Sequence, residues 1–192
     1  VFDRPTPWTL RGVFFTPATM SNLSAKVWFK DKRAMSGAGT PAGEYLKPQV
    51  FGGARRGKRY EGLLLHKGIL QPGQYTVPGS GARLNTYGNI SGPNMVQILS
   101  VIKAFAEDRY KMNITARSKK VNKKPREFFV GRPGGGGKPL GVWERYGAKG
   151  RQVRPILMFI NKAPQYKKRL PFFETANKVV PQILRQEFER LA

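Results

Sequence analysis

Cysteine is absent from this chain, so disulfides and thiolate metal sites are both excluded. Histidine is almost absent. The single one, His66, falls on an expected helix without an obvious carboxylate or metal partner and reads as a surface or interface residue. Acidic residues are scarce and scattered: of eleven Asp and Glu, only Glu107 and Asp108 are adjacent, at an expected helix end where solvation is the default. A two-metal hydrolytic site gathers several carboxylates, and no such gathering is visible, which leaves a nuclease only as a rival whose acids would meet in three dimensions. No apolar run is long enough to cross a bilayer and no signal-peptide pattern occurs, so a soluble intracellular chain without membrane contact is expected. No catalytic residue, cofactor or metal site is assigned.

What the chain has in excess is positive charge. Thirty-five Lys and Arg against the eleven acids give +24, a field that attracts nucleic acid, an acidic protein ring or anionic lipid. Arg55, Arg56, Lys58 and Arg59 form one cluster, and Lys167, Lys168 and Arg169 another. Between them, a basic segment at 109–126 carries Arg117, Lys119, Lys120, Lys123, Lys124 and Arg126 with no acid, and is too charged and too poorly periodic to be core. Phosphate contact demands only clustered positive charge. No helix-turn-helix, RNP or zinc-finger pattern is present, so any DNA contact would be to the backbone without sequence reading. An acidic protein surface would explain the same clusters.

Glycine and proline, 22 and 15 of 192 residues, point to many turns within a chain long enough for one domain over 1–192. The first twenty residues read as an extended lead-in, and because the chain starts at Val1 mid-pattern, residues upstream of it are expected. Alternation in Ser24–Lys30 predicts a half-buried strand. Thr40 and Pro41 resemble an N-cap and first helical residue, with Pro48 and Gly52–Gly53 ending the helix. A second helix is predicted over Lys58–Ile69, with Tyr60, Leu63, Leu64 and Lys67 on one side. Residues 71–93 read as an irregular loop. Asn94 is the expected cap of an amphipathic helix bearing Met95, Ile98, Leu99, Ile102 and Phe105.

Three strands, Arg126–Gly131, Gly141–Tyr146 and Val153–Ile160, should then form an antiparallel meander. The first connection, GRPGGGGKP, is read as a mobile hairpin arm around 131–140. It fails as a phosphate loop because Arg132 and Pro139 stand where Gly and Ser or Thr are needed around Lys138. Arg132 and Lys138 could touch an acidic neighbour. A long C-terminal helix from Pro171 is expected to bury Phe172, Ala176, Val180, Ile183, Leu184, Phe188 and Leu191, with a kink at Pro181.

The segments VFDRPTPWTLRGVFF, KVWFKD, GTPAGEYLKPQVFGGARRGKRYE and YGNISGPNMVQILS resemble phage tail-completion proteins. The C-terminal half, from GVWERYGAKGRQVRPILMFI through LPFFETANKVVPQILRQEFERL, is similar in layout to the minor tail protein Z-like family. A strand with a Gly-x-Trp start leads to a basic turn, a hydrophobic strand, a Pro-Phe lead-in and a long helix. The resemblance implies an α+β fold, an antiparallel β-sheet packed by helices with a long C-terminal helix and extended loops. It also implies a virion structural protein at the tail end or head–tail junction (neck), assembled in the host cytoplasm as a homo-oligomeric ring around the DNA channel. Its neighbours would be a head–tail connector, a tail terminator or tail tube proteins. Six copies are favoured and twelve are the alternative; six would carry six times +24, enough to draw in genomic DNA or acidic ring faces. Trp8, Tyr75 or Tyr87 could anchor the ring's self-contacts. The family brings no catalytic residues, and its members begin with a helix before VFDRPTP. The alternative reading is a non-sequence-specific nucleic-acid-binding protein.

Overall fold

The structure is a computed structural model describing residues 2–31, 40–104, 126–134 and 137–191. Phe105, the Glu107–Asp108 pair and residues 109–125 lie outside the described residues, and with them Arg117, Lys119, Lys120, Lys123 and Lys124. In chain order the first elements are α1 (Pro7–Leu10), β1 (Val13–Thr16), β2 (Lys26–Phe29), α2 (Ala42–Tyr45), α3 (Lys47–Phe51) and β3 (Gly53–Ala54). There follow α4 (Arg59–His66), β4 (Tyr75–Pro78), α5 (Gly92–Val101), β5 (Glu127–Gly131), β6 (Gly141–Tyr146) and β7 (Gln152–Ile160). The described chain closes with β8 (Gln165–Tyr166) and α6 (Phe172–Leu191). The fold is α+β, with antiparallel sheets packed by helices and a long C-terminal helix. The chain divides into two compact units: residues 1–55 with 164–192, and, inserted between them, residues 56–163.

The inserted unit holds the larger core. Its sheet runs β4-β7-β6-β5, all antiparallel, and includes the expected meander. Leu64 of α4 and Ile98 and Leu99 of α5 pack with Phe128, Val142, Ile156, Leu157 and Phe159 of the sheet. Burying these side chains contributes about 1.5–3 kcal/mol each, which is what holds helices to sheet. Pro155 stands in β7, an inner strand where its missing N–H would break a ladder. The register shifts beside it, with Val142 opposite Leu157 but Trp143 opposite Pro155. Such a bulge is where an inner strand tolerates proline.

Residues 71–93 are not wholly irregular, because Tyr75–Pro78 form β4 at the sheet edge. Pro78 masked that strand in the sequence, yet an edge strand tolerates proline at its end. Glu61 fastens α4 to this edge. It is fully buried and accepts from the Thr76 backbone N–H (2.7 Å), the Thr76 hydroxyl (2.8 Å) and the Lys58 N–H (2.6 Å). Helix α5 is capped at Ser91, with Pro93 in its first turn, so Asn94 lies inside the helix rather than at its cap.

The first unit is thinly packed. The β1–β2 hairpin pairs Val13 with Phe29 through Thr16 with Lys26. The expected half-buried strand is there, but its side chains are exposed apart from half-buried Phe29. Thr6 caps α1, its hydroxyl accepting the Thr9 N–H at 3.1 Å. Pro48 does not end a helix; it sits in the first turn of α3, where its lacking N–H costs nothing. Gly52, at φ 78°, terminates α3. Strands β3 and β8 then pair, and the Arg55 N–H donates to the Pro164 carbonyl at 3.1 Å. Of this unit's described hydrophobic residues, Ala42, Leu46 and Val50 are fully buried.

The C-terminal helix forms as expected, with Pro181 inside it, but its stripe is not buried. Phe172 and Ala176 are half-buried, whereas Val180, Ile183 and Leu184 are more than half exposed. The helix is amphipathic, and nothing among the described residues covers its apolar side beyond the first turns.

Candidate interaction surfaces

The basic residues divide between the units. Arg55 and the cluster Lys167, Lys168 and Arg169 belong to the first unit, and Arg56, Lys58, Arg59 and Arg126 to the inserted one. Arg56, Lys58 and Arg59 are exposed just before and at the start of α4, with the Lys58 Nζ 5.8 Å from the Tyr60 ring centre. Lys167, Lys168 and Arg169 are exposed, but Lys168 pairs with Glu174, and Arg169 lies 3.8 Å from Asp3. In the glycine-rich arm, Gly131 pairs with Gly141, and the Lys138 Nζ sits 5.5 Å from the Trp143 ring centre.

Arg126 is placed differently from the surface role that its cluster implied. Strand alternation puts Glu144 on the same side of β6 as Val142, facing the helices. There its side chain is 3% exposed and takes both arms of Arg126, Nε at 2.5 Å and Nη2 at 2.8 Å, while the Arg154 Nε donates at 2.8 Å. The remaining Arg126 nitrogen, Nη1, reaches the Asn94 Oδ1 at 2.8 Å, which gives that mid-helix residue its structural use. Burial alone would raise the Glu144 pKa. The hydrogen bonds and charges of Arg126 and Arg154 overcome it and hold the carboxyl at about 2. Two guanidiniums around one carboxylate leave a local excess of positive charge. Arg154 also stacks on Tyr146, 4.9 Å from its ring centre, at the open side of the cluster.

Among the described residues no three His, Asp or Glu side chains gather in a way that could hold a metal ion. His66 ends α4 and is exposed. Of the proposed aromatic anchors, Trp8 and Tyr87 are exposed and Tyr75 is half-buried in β4.

The surface that sequence reading missed is apolar, and it belongs to the first unit. Strand β2, helices α2 and α3 and the start of α6 enclose a cleft of about 290 Å³, lined by Trp28, Val50, Phe51, Phe172 and Phe173 among others, with Lys47 its one charged residue. Phe29 meets Phe172 at 4.5 Å between ring centres, and Phe51 meets Phe173 at 5.8 Å. Beyond it, Phe15 is 74% exposed, and at the hairpin tip Met20 and Leu23 are 98% and 86% exposed. That tip is ordered. The Thr19 hydroxyl accepts the Asn22 N–H at 3.0 Å, and the Asn22 Oδ1 accepts the Ser24 N–H at 3.2 Å. A signal for this surface was present in the sequence. Residues 13–29 hold one charged residue, Lys26, and residues 172–191 hold three acids and three bases, all within a chain of +24.

No helix among the described residues is long and apolar enough to cross a membrane. No protein-family model, curated protein or solved structure matches the chain.

Proposed function

We propose that this chain is a structural component of a tailed-bacteriophage virion that completes the tail and joins it to the head, assembled as a ring around the DNA channel. The likeness of its segments to tail-completion proteins supplies the identity. The observation that carries the assembly role is an apolar face of low charge, with Lys26 and Lys47 its basic residues, on one unit of a chain whose net charge is +24. Clustered exposed apolar side chains of this kind mark interaction sites, and an assembling subunit has a use for them. The positive charge suits either DNA in the channel or an acidic neighbouring ring. Mass spectrometry of density-banded phage particles tests this reading: peptides of the chain should be found in tailed particles. Particles that contain the other tail components but lack this chain would overturn it.

The second reading, non-sequence-specific nucleic-acid binding outside a virion, is favoured by the exposure of Arg56, Lys58 and Arg59. It leaves the apolar face without a purpose.

A further inference from the structure

We infer that a second copy of this chain docks on the apolar face, with the β1–β2 hairpin tip of one copy, Met20 and Leu23, seated in the cleft beside Phe51 and Phe173 of the next. The closure of such contacts into a ring rests on the function proposed above; the contact itself rests on charge, area and shape.

Charge selects the occupant. Two chains of +24 repel over most of their surfaces, so copies can meet only where charge is low. The hairpin, with Lys26 as its sole charge between Val13 and Phe29, and α6, with Glu174, Glu187 and Glu189 balancing Lys178, Arg185 and Arg190, are such places. Within α6 the Arg185–Glu189 and Glu187–Arg190 pairs also satisfy each other, leaving little net field at that end. An acidic partner would instead be drawn to the basic clusters.

Area is sufficient. At roughly 150–250 Å² for each aromatic side chain, the exposed fractions of Phe15, Phe51 and Phe173, joined by those of Met20, Leu23 and Ile183, amount to several hundred Å². Covering the other exposed residues of the hairpin and helix as well would bring the two sides towards the ~1,000 Å² that a specific interface requires.

Shape fixes the direction. A cleft of about 290 Å³ has room for one or two side chains of the size of Met or Leu, and Met adapts its three rotatable bonds to an irregular hole. The tip cannot fill its own cleft. Val27 and Trp28, which line it, lie on the strand that runs away from Leu23, and four extended residues span about 13 Å. The tip's hydrogen-bonded turn holds Met20 and Leu23 outward before any partner arrives, which reduces the ordering cost of docking. Tip into cleft is a head-to-tail contact, the kind that generates rings or filaments rather than closed pairs.

The test uses the full chain. Light scattering should give a mass above one 21.6 kDa chain, undiminished when salt is raised from ~0.1 to ~1 M, because screening removes repulsion and leaves apolar contact intact. A tip variant, Met20→Asp with Leu23→Asp, and a cleft variant, Phe51→Asp, should each be monomeric with unchanged circular dichroism. Mixed together they should form one-to-one dimers and grow no further, since each mixture has a single intact tip–cleft pair. The cysteine-free background adds a readout independent of any folding defect. Leu23→Cys mixed with Phe51→Cys should cross-link under oxidation, and neither should do so alone. Variants that assemble like the parent, a mixture that stays monomeric, or no mixed cross-link would each overturn the contact while leaving the virion reading standing. A parent chain that is monomeric under all these conditions would overturn it too, whereas loss of the virion reading alone would come from particle composition.

Discussion

Glu144 concentrates the electrostatics of the inserted unit in one carboxylate. With its pKa held at about 2 in the folded chain against an ordinary 4.5, it contributes stability that is fully present above about 4.5. That contribution is lost as pH falls through the folded value, because the unfolded chain binds the proton first. A shift of this size corresponds to on the order of 3 kcal/mol, so urea titrations across the acid range should show the unfolding free energy falling between those two pH values. Glu144→Gln should flatten that part of the profile and cost about 3–5 kcal/mol, because Arg126 and Arg154 would lose the carboxylate that both of them pair with. An unchanged profile in the variant would mean that another group carries the acid-range dependence. Nothing in the sequence linked these residues. Arg126 read as the end of a basic run, and its partners lie 18 and 32 positions away along the chain.

At the scale of elements, two glycines behave oppositely. A Cβ on Gly141, the first residue of β6, would collide with the Leu157 carbonyl oxygen of β7, whose backbone is held in the sheet. Gly141→Ala should therefore destabilise by about 1–3 kcal/mol. Gly62 lies within α4 with open space around it, and Gly62→Ala should stabilise by about 0.5–1 kcal/mol. Thermal unfolding of both variants checks the pair. Elements with strong local patterns were legible in the sequence: the three-strand meander, α4, α5 and α6 emerge close to their expected limits. The rest depended on contacts distant in sequence. Strand β4 is four residues ending in proline and exists because β7 offers it an edge, and β3 and β8 are two-residue partners that no periodicity could reveal. Amphipathic spacing told which side of α6 is apolar, but not whether anything covers it. Burial is a property of neighbours, and the neighbours are not in the helix.

Taken whole, the molecule separates charge from greasiness, and only the charge was obvious in the composition. If the basic residues meet DNA, affinity measured by fluorescence anisotropy should fall linearly on a log–log plot against salt, with a slope near −0.9 per phosphate contacted. Replacing Arg56, Lys58 and Arg59 by Gln should reduce that slope by up to about 3 and weaken all sequences alike. An unaltered slope would turn those residues towards an acidic protein instead. One feature of chain layout reaches into how the protein is made. The inserted unit has all its strands and helices between Arg56 and Ala163, but the first unit is completed only when β8 and α6 arrive to meet β3 and Phe29. On the ribosome the inserted unit can therefore collapse while the hairpin, α2 and α3 still wait for β8 and α6. The sticky face is thus completed after the inserted unit, and a chain halted before residue 164 could not offer a finished cleft to the growing assembly.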